Sequence, residues 1–260
     1  DADSSPVAIC LPDYLIDERE PWWYPAYQHM HVLLHRPDIA VRYYNCVDTL
    51  ILIDGSARYA FPDAVDETAL QQFPIFNQFL ARSATDRVEL PQRLGTMLRV
   101  DRSSTPLAQV LNQVALISTV TLDADQQSAR VPIDFGDKVQ LLGYSLSKSS
   151  IKPGQSIDLV TYWKVIANLP PQLSQFTHVL NGQGNIVAQE DRLMLTSQSL
   201  QAGDVFIQIH HLVMPGDIKL GEYQLSIGLY TQTDGKRLPI MLNGQLHGDR
   251  VSLKVIEVRK

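Results

Sequence analysis

From Val131 onward no stretch of this chain carries a convincing helical period, and that constrains its fold more than any other feature. The runs VQLLGYSLS, SIDLVTYWKV, QFTHVLN, IVAQEDRL, VFIQIHHLVM, EYQLSIGLYT and VSLKVIEV are strand-like. Turn chemistry separates them: KPGQ, NGQGN, QAGD, MPGD, TDGK and LNGQ. In such turns proline presets φ and glycine supplies a positive φ, so PGD before a strand is a turn and not a phosphate loop. Short strands at this spacing predict an antiparallel β-sandwich, immunoglobulin-like or jelly-roll, over residues 131–260. In SIDLVTYWKV, Ile157, Leu159, Thr161 and Trp163 alternate with Asp158, Val160, Tyr162 and Lys164, so one face is built for burial.

The first part has a different grammar. PVAIC is a short apolar run, and PAYQHMHVLLHR predicts a helix from Pro25 to Arg36, stopped by Pro37. IAVRYYNC, TLILID and ARYAF read as strands, with DGS at 54–56 as a hairpin signal. DETALQQFPIFNQFLARS is helical, interrupted at Pro74, and LGTMLRVD closes the unit as a strand. The order predicts a small, partly parallel α/β layer domain over residues 1–105. Residues 106–130, rich in Ser, Thr and Gln, form a connector, in which Leu107, Val110, Leu111 and Val114 fit a helical turn and ALISTVTL a strand. The fold class is therefore α/β plus all-β.

Composition narrows the function classes. Hydrophobic residues make up 45% of the chain and charged residues 19%, which suits a folded core. A net charge of -6 argues against a nucleic-acid partner, which would need a broad basic face. No apolar run reaches the roughly 20 residues of a membrane span. The abrupt start at DADSSPVAIC reads as a cut piece or a mature form. Cys10 and Cys46 both end strand-like runs. A disulfide between parallel neighbours and a pair of buried free thiols are both open from the sequence.

Each cluster of reactive side chains also has a plain explanation. His31 and His35 are spaced to face one metal ion, with His29 nearby, but Val32 stands where a metalloprotease needs glutamate and no third ligand is marked. A polar helix face is the better account, and no metal is expected. His210 and His211 are adjacent in a strand and point to opposite faces. Asp17, Glu18 and Glu20 form an acidic cluster, but Arg19 among them points to solvated ion pairs over paired catalytic carboxylates. Trp22 and Trp23 staple the following helix, present flat faces to a sugar or sit at a water–lipid boundary. No nucleophile elbow, dinucleotide fingerprint or Walker motif occurs, so no cofactor is expected.

DEREPWWYP, HRPDIAVRYYNC and TLILIDGSARYAFPD resemble the segment after the last membrane helix in bacterial polytopic glycosyltransferases, of the dolichyl-phosphate-mannose–protein mannosyltransferase-like or aminoarabinose-transferase-like kind. FGDKVQLLGYSLS, IKPGQSIDLVTYWKV, QFTHVLNGQGNIVAQEDRL, LGEYQLSIGLYTQTDGKRLPI and VSLKVIEV resemble the sandwich that ends such chains. The likeness covers most of residues 7–100 and 131–258, and the order of the phrases carries it. It implies a tethered, extracytoplasmic location on the bacterial cell membrane. The partners it implies are the membrane-embedded part of the same protein and a glycan or glycolipid acceptor. The family's catalytic acid lies in a membrane-domain loop with no counterpart here, so no catalytic residue carries over. The implied compartment favours a Cys10–Cys46 bridge. Trp22, Trp23, Asp17, Glu18 and Arg19 become the candidate carbohydrate or docking surface. An autonomous carbohydrate-binding protein and an independent hydrolase are the rival readings.

Overall fold

The computed structural model describes residues 4–11, 16, 38–61, 79–80, 84–90 and 95–260. The helices expected over Pro25–Arg36 and, apart from Phe79 and Leu80, over residues 66–83 lie outside the described residues. The chain divides into two compact units, residues 1–114 with 194–206, and residues 115–193 with 207–260.

The first unit is built on a mixed sheet. Its strands are β1 (Val7–Cys10), β2 (Val41–Tyr44), β4 (Ser56–Phe61), β5 (Ala84–Leu90) and β6 (Gly95–Asp101), in the order β2-β1-β4-β6-β5. Here β1 runs parallel to β2 and β4, while β6 is antiparallel to β4 and β5. The partly parallel layer read from the sequence is present. The hairpin expected at DGS is not: β3 (Thr49–Leu52) lies outside this sheet. Gly55 does turn the chain there with φ 74°, but Asp54 Oδ1 accepts the N–H of Leu107 at 3.0 Å, and Tyr59 Oη accepts the N–H of Ile53 at 3.1 Å. β3 and β4 do not pair with each other but belong to different sheets. All of β3 is buried, which its unbroken apolar run required. The short helix α1 (Leu107–Leu111) ends the first stretch of this unit.

Residues 194–206 return to the first unit, which the sequence did not suggest. Their start runs along the free edge of β2: the N–H of Asn45 donates to the carbonyl of Met194 at 2.8 Å and that of Thr196 to the carbonyl of Tyr43 at 2.9 Å. An exposed edge is thereby covered.

The second unit is a β-sandwich. One layer holds β9 (Ile133–Phe135), β10 (Val139–Leu146), β12 (Ser156–Val165), β15 (Val205–Val213), β17 (Ile240–Leu242) and β18 (Gln245–Leu246), ordered β18-β17-β9-β10-β12-β15. Of these, β15 begins in the first unit and continues into the second. The other layer holds β7 (Thr119–Leu122), β8 (Ser128–Arg130), β13 (Leu173–Leu180), β14 (Ile186–Asp191), β16 (Gly221–Thr231) and β19 (Val251–Val258), ordered β14-β13-β16-β19-β7-β8. A short β11 (Ser150–Ile151) runs beside β19. The boundary expected at residue 131 moves back to 115, because β7 pairs with β19 and turns back as β8. The later part of the stretch read as a connector thus belongs to a sheet.

The core of the sandwich contains a polar thread. Trp163 is fully buried, its ring edge-on to Phe135 at 5.2 Å. Its indole N–H donates to Thr161 Oγ1 at 2.9 Å and to Gln175 Oε1 at 3.0 Å. Gln175 Nε2 in turn donates to Thr177 Oγ1 at 3.3 Å. A buried indole needs such a partner, and these side chains, from β12 in one layer and β13 in the other, supply it.

Candidate functional site

Three turns at one end of the sandwich are fastened to one another. In FGDK, Gly136 and Asp137 take φ of 65° and 54°, and the N–H of Lys138 donates to the carbonyl of Phe135 at 3.2 Å. This is the primed hairpin turn for which Gly and Asp are suited. The carbonyl of Lys138 accepts from the N–H groups of Ile166 and Ala167, at 2.9 and 3.2 Å, which anchors the loop leaving β12. In TDGK, Asp234 Oδ1 accepts from the Thr231 hydroxyl and from the Lys236 N–H, the latter at 3.0 Å. The N–H of Gly136 donates to the carbonyl of Pro239 at 2.7 Å, tying the first turn to the chain after the third.

Between these turns lies a cleft of about 540 Å³, within the range of roughly 300–1,000 Å³ usual for small-ligand sites. Leu169, Pro170, Leu238, Pro239 and Met241 give it apolar walls. Asp137, Lys138, Asn168, Asp234, Lys236 and Arg237 supply its polar groups. Arg237 is already engaged: its guanidinium lies 4.5 Å from the centroid of the Phe176 ring and pairs with Asp249 at 3.2 Å. Phe176 in turn lies over Gly228, its cross-strand partner. A Cβ on Gly228 would come within 2.3 Å of that ring and 2.6 Å of the Asp249 carbonyl, so only glycine fits beneath Phe176.

His210 and His211 both meet Glu190, one through its ring and the other through its backbone N–H. Glu190 Oε2 accepts the backbone N–H of His211 at 2.5 Å and lies 3.6 Å from His210 Nδ1, while Arg192 Nε lies 3.0 Å from its other oxygen. His210 is fully buried, and desolvation holds its pKa below the ordinary value despite Glu190. The ring of His211 points the other way, to Asp158 at 2.7 Å. The opposite facing of the two histidines follows from strand geometry. Among the described residues no group of three His, Cys, Asp or Glu side chains is placed to hold a metal ion.

The first unit holds a buried ion pair. Arg42 and Asp204 are joined at 2.7 Å, Nε to Oδ2, and at 3.2 Å, Nη2 to Oδ1. Tyr44 and Tyr59 are buried with them, and desolvation raises both phenol pKa values, keeping the hydroxyls protonated. This arrangement is internal packing.

Of the side chains singled out in the sequence, Trp22, Trp23, Asp17, Glu18, Arg19, Glu20, His29, His31 and His35 lie outside the described residues. Cys10 and Cys46 form a disulfide with Cα atoms 5.3 Å apart, at matching ends of the parallel strands β1 and β2. The cleft side chains were not anticipated. Their one signal was the turn chemistry of TDGK, which marked a loop without saying what it would enclose.

No family model and no curated protein matches this chain significantly. Solved structures give faint likenesses. The C-terminal domain of Wzt is 13% identical over 49% of this chain and 77% of its own length, with a TM-score of 0.37. The alkylpurine DNA glycosylase AlkC of Pseudomonas fluorescens, bound to DNA containing an abasic site analog, is 18% identical over 47% of this chain and 31% of its own, with a TM-score of 0.30. The β-glucosidase of Listeria innocua, in complex with isofagomine, is 14% identical over 77% of this chain and 23% of its own, with a TM-score of 0.27. Likenesses this faint carry no argument about function.

Proposed function

We propose that this chain is a non-catalytic, extracytoplasmic module of a membrane glycosyltransferase that uses a polyprenyl-phosphate sugar donor. The module docks on the membrane-embedded part and helps to place the acceptor. The observation that carries the reading is the Cys10–Cys46 disulfide, since such bonds persist in oxidising compartments outside the cytoplasm. The ordered sequence phrases that resemble these transferases supply the rest. Trp22 and Trp23, with Asp17, Glu18 and Arg19, form the proposed docking surface.

The strand order supports an immunoglobulin-like sandwich over a jelly-roll. The chain passes from β12 to β13 across the layers, makes the hairpin β13–β14 and crosses back to β15. It then returns through β16 and β19 beside β13. We read this as the Greek-key path of that fold.

The test has two arms. The sequence encoded before Asp1 should contain a series of hydrophobic spans, and the purified chain should transfer no sugar from a lipid-linked donor. Turnover by the chain alone, or the absence of upstream spans, overturns the proposal. A second reading, an autonomous carbohydrate-binding protein, is favoured by the cleft at the end of the sandwich. Specific glycan-array binding that disappears in an Asp137→Gly, Lys236→Met variant supports that rival.

A further inference from the structure

We infer that the cleft enclosed by the FGDK turn, the loop after β12 and the TDGK turn is a binding site for a neutral, hydroxyl-rich sugar. The inference relies on the proposed function only for what the sugar is for; the binding chemistry stands by itself.

The first argument is charge. Arg237 is neutralised by Asp249. That leaves Lys138 and Lys236 against Asp137 and Asp234, two cations against two carboxylates. A phosphate or a polyanion needs donors alone, and the two carboxylates would repel it. A sugar hydroxyl is both donor and acceptor, so a site offering ammonium, carboxylate and amide groups together suits it.

The second argument is availability. Lys138, Lys236, Asp137 and Asn168 have no side-chain hydrogen bond or ion pair to any described residue, and Asp234 uses only Oδ1. The backbones carrying these groups are tied by hydrogen bonds within and between the turns, and a backbone fixed beforehand loses less entropy on binding.

The third argument is the apolar wall of Leu169, Pro170, Leu238, Pro239 and Met241. It offers C–H surface to the apolar face of a pyranose. No aromatic side chain lines the cleft among the described residues, so its apolar surface is aliphatic.

The test is chemical-shift mapping of the chain during titration with the methyl glycosides of glucose, galactose, mannose and N-acetylglucosamine, and with glucuronate as the charged control. The expected result is saturable shifts at the amides of Gly136, Asp137, Asn168 and Lys236 with at least one neutral glycoside. Asp137→Gly keeps the positive φ, and Lys236→Met keeps the side-chain length. Each should weaken binding about tenfold, the usual loss for a hydrogen bond to a charged group. Thr121→Val, in a separate pocket of the same unit, should change nothing. Three outcomes overturn the inference: no saturable shift at these amides with any glycoside, unchanged affinity in both cleft variants, or shifts with glucuronate alone that vanish at high salt. Sugar binding without upstream membrane spans would sink the transferase reading and leave this site standing. Spans without sugar binding would do the reverse.

Discussion

Arg42 and Asp204 lie 162 residues apart in sequence yet meet as a two-pronged ion pair, both almost fully buried. Asp204 Oδ2 also accepts the backbone N–H of Gln201 at 2.7 Å, and Gln201 Oε1 accepts from Arg42 Nη2 at 3.1 Å. The pair thus fixes the returning segment to β2. Removing one member strands a charge away from water, which costs about 3–5 kcal/mol. Asp204→Ala should lower the urea midpoint of the chain accordingly, and Asp204→Asn, which keeps one acceptor oxygen but turns an N–H donor toward Arg42, should recover only part of the loss. A loss below about 1 kcal/mol in Asp204→Ala would mean the pair is not sealed from solvent.

The disulfide closes a loop with a sequence separation of 36. Loop-closure entropy for that length stabilises the folded chain by about 4 kcal/mol. A Cys10→Ala, Cys46→Ala variant should unfold at a correspondingly lower denaturant concentration. Adding reductant should shift the wild type toward that variant and leave the variant unmoved.

Gln175 is the hub of the polar thread in the sandwich core, accepting from the Trp163 indole and donating to Thr177. Gln175→Leu leaves buried polar groups without partners and should cost about 1–3 kcal/mol by equilibrium unfolding. Gln175→Glu should be worse, because it buries a carboxylate that faces no cation in this network.

His210 predicts a pH dependence. Burial is the main cause of its lowered pKa, opposed by Glu190 and Asp191 and reinforced by Arg192. In the unfolded chain the ring titrates near 6.5. Between that value and the lower folded one, the unfolded state binds more protons, so stability falls as the pH drops. Its contribution is intact above 6.5 and disappears on acidification, with a slope of up to about 1.4 kcal/mol per pH unit. Urea titrations from neutral to mildly acidic pH should show this slope in the wild type. In His210→Leu the slope should be shallower by that amount.

How far the sequence could be read depended on the range of the interactions involved. SIDLVTYWKV and VSLKVIEV were legible as strands to the residue, because alternation and flanking turns are local signals. The opposite facing of His210 and His211 was legible for the same reason. β5 was not, because its residues 84–89 are exposed or half-buried with no buried alternation to betray the strand. β7 was half legible in ALISTVTL, but its union with β19 depends on residues far along the chain. The cleft was the least legible feature. Its polar groups come from three separate turns, and sequence marks a turn without marking its neighbours.

The early strands need Met194 to Phe206 to finish their edge and to neutralise Arg42. During synthesis those residues leave the ribosome only after most of the sandwich has been made. The amino-terminal unit therefore waits for residue 206, by which point β7 to β14 of the sandwich have been made and β16 to β19 have not. A chain released before residue 206 would carry an unclosed sheet margin and a stranded guanidinium, the kind of surface that chaperones and proteases recognise.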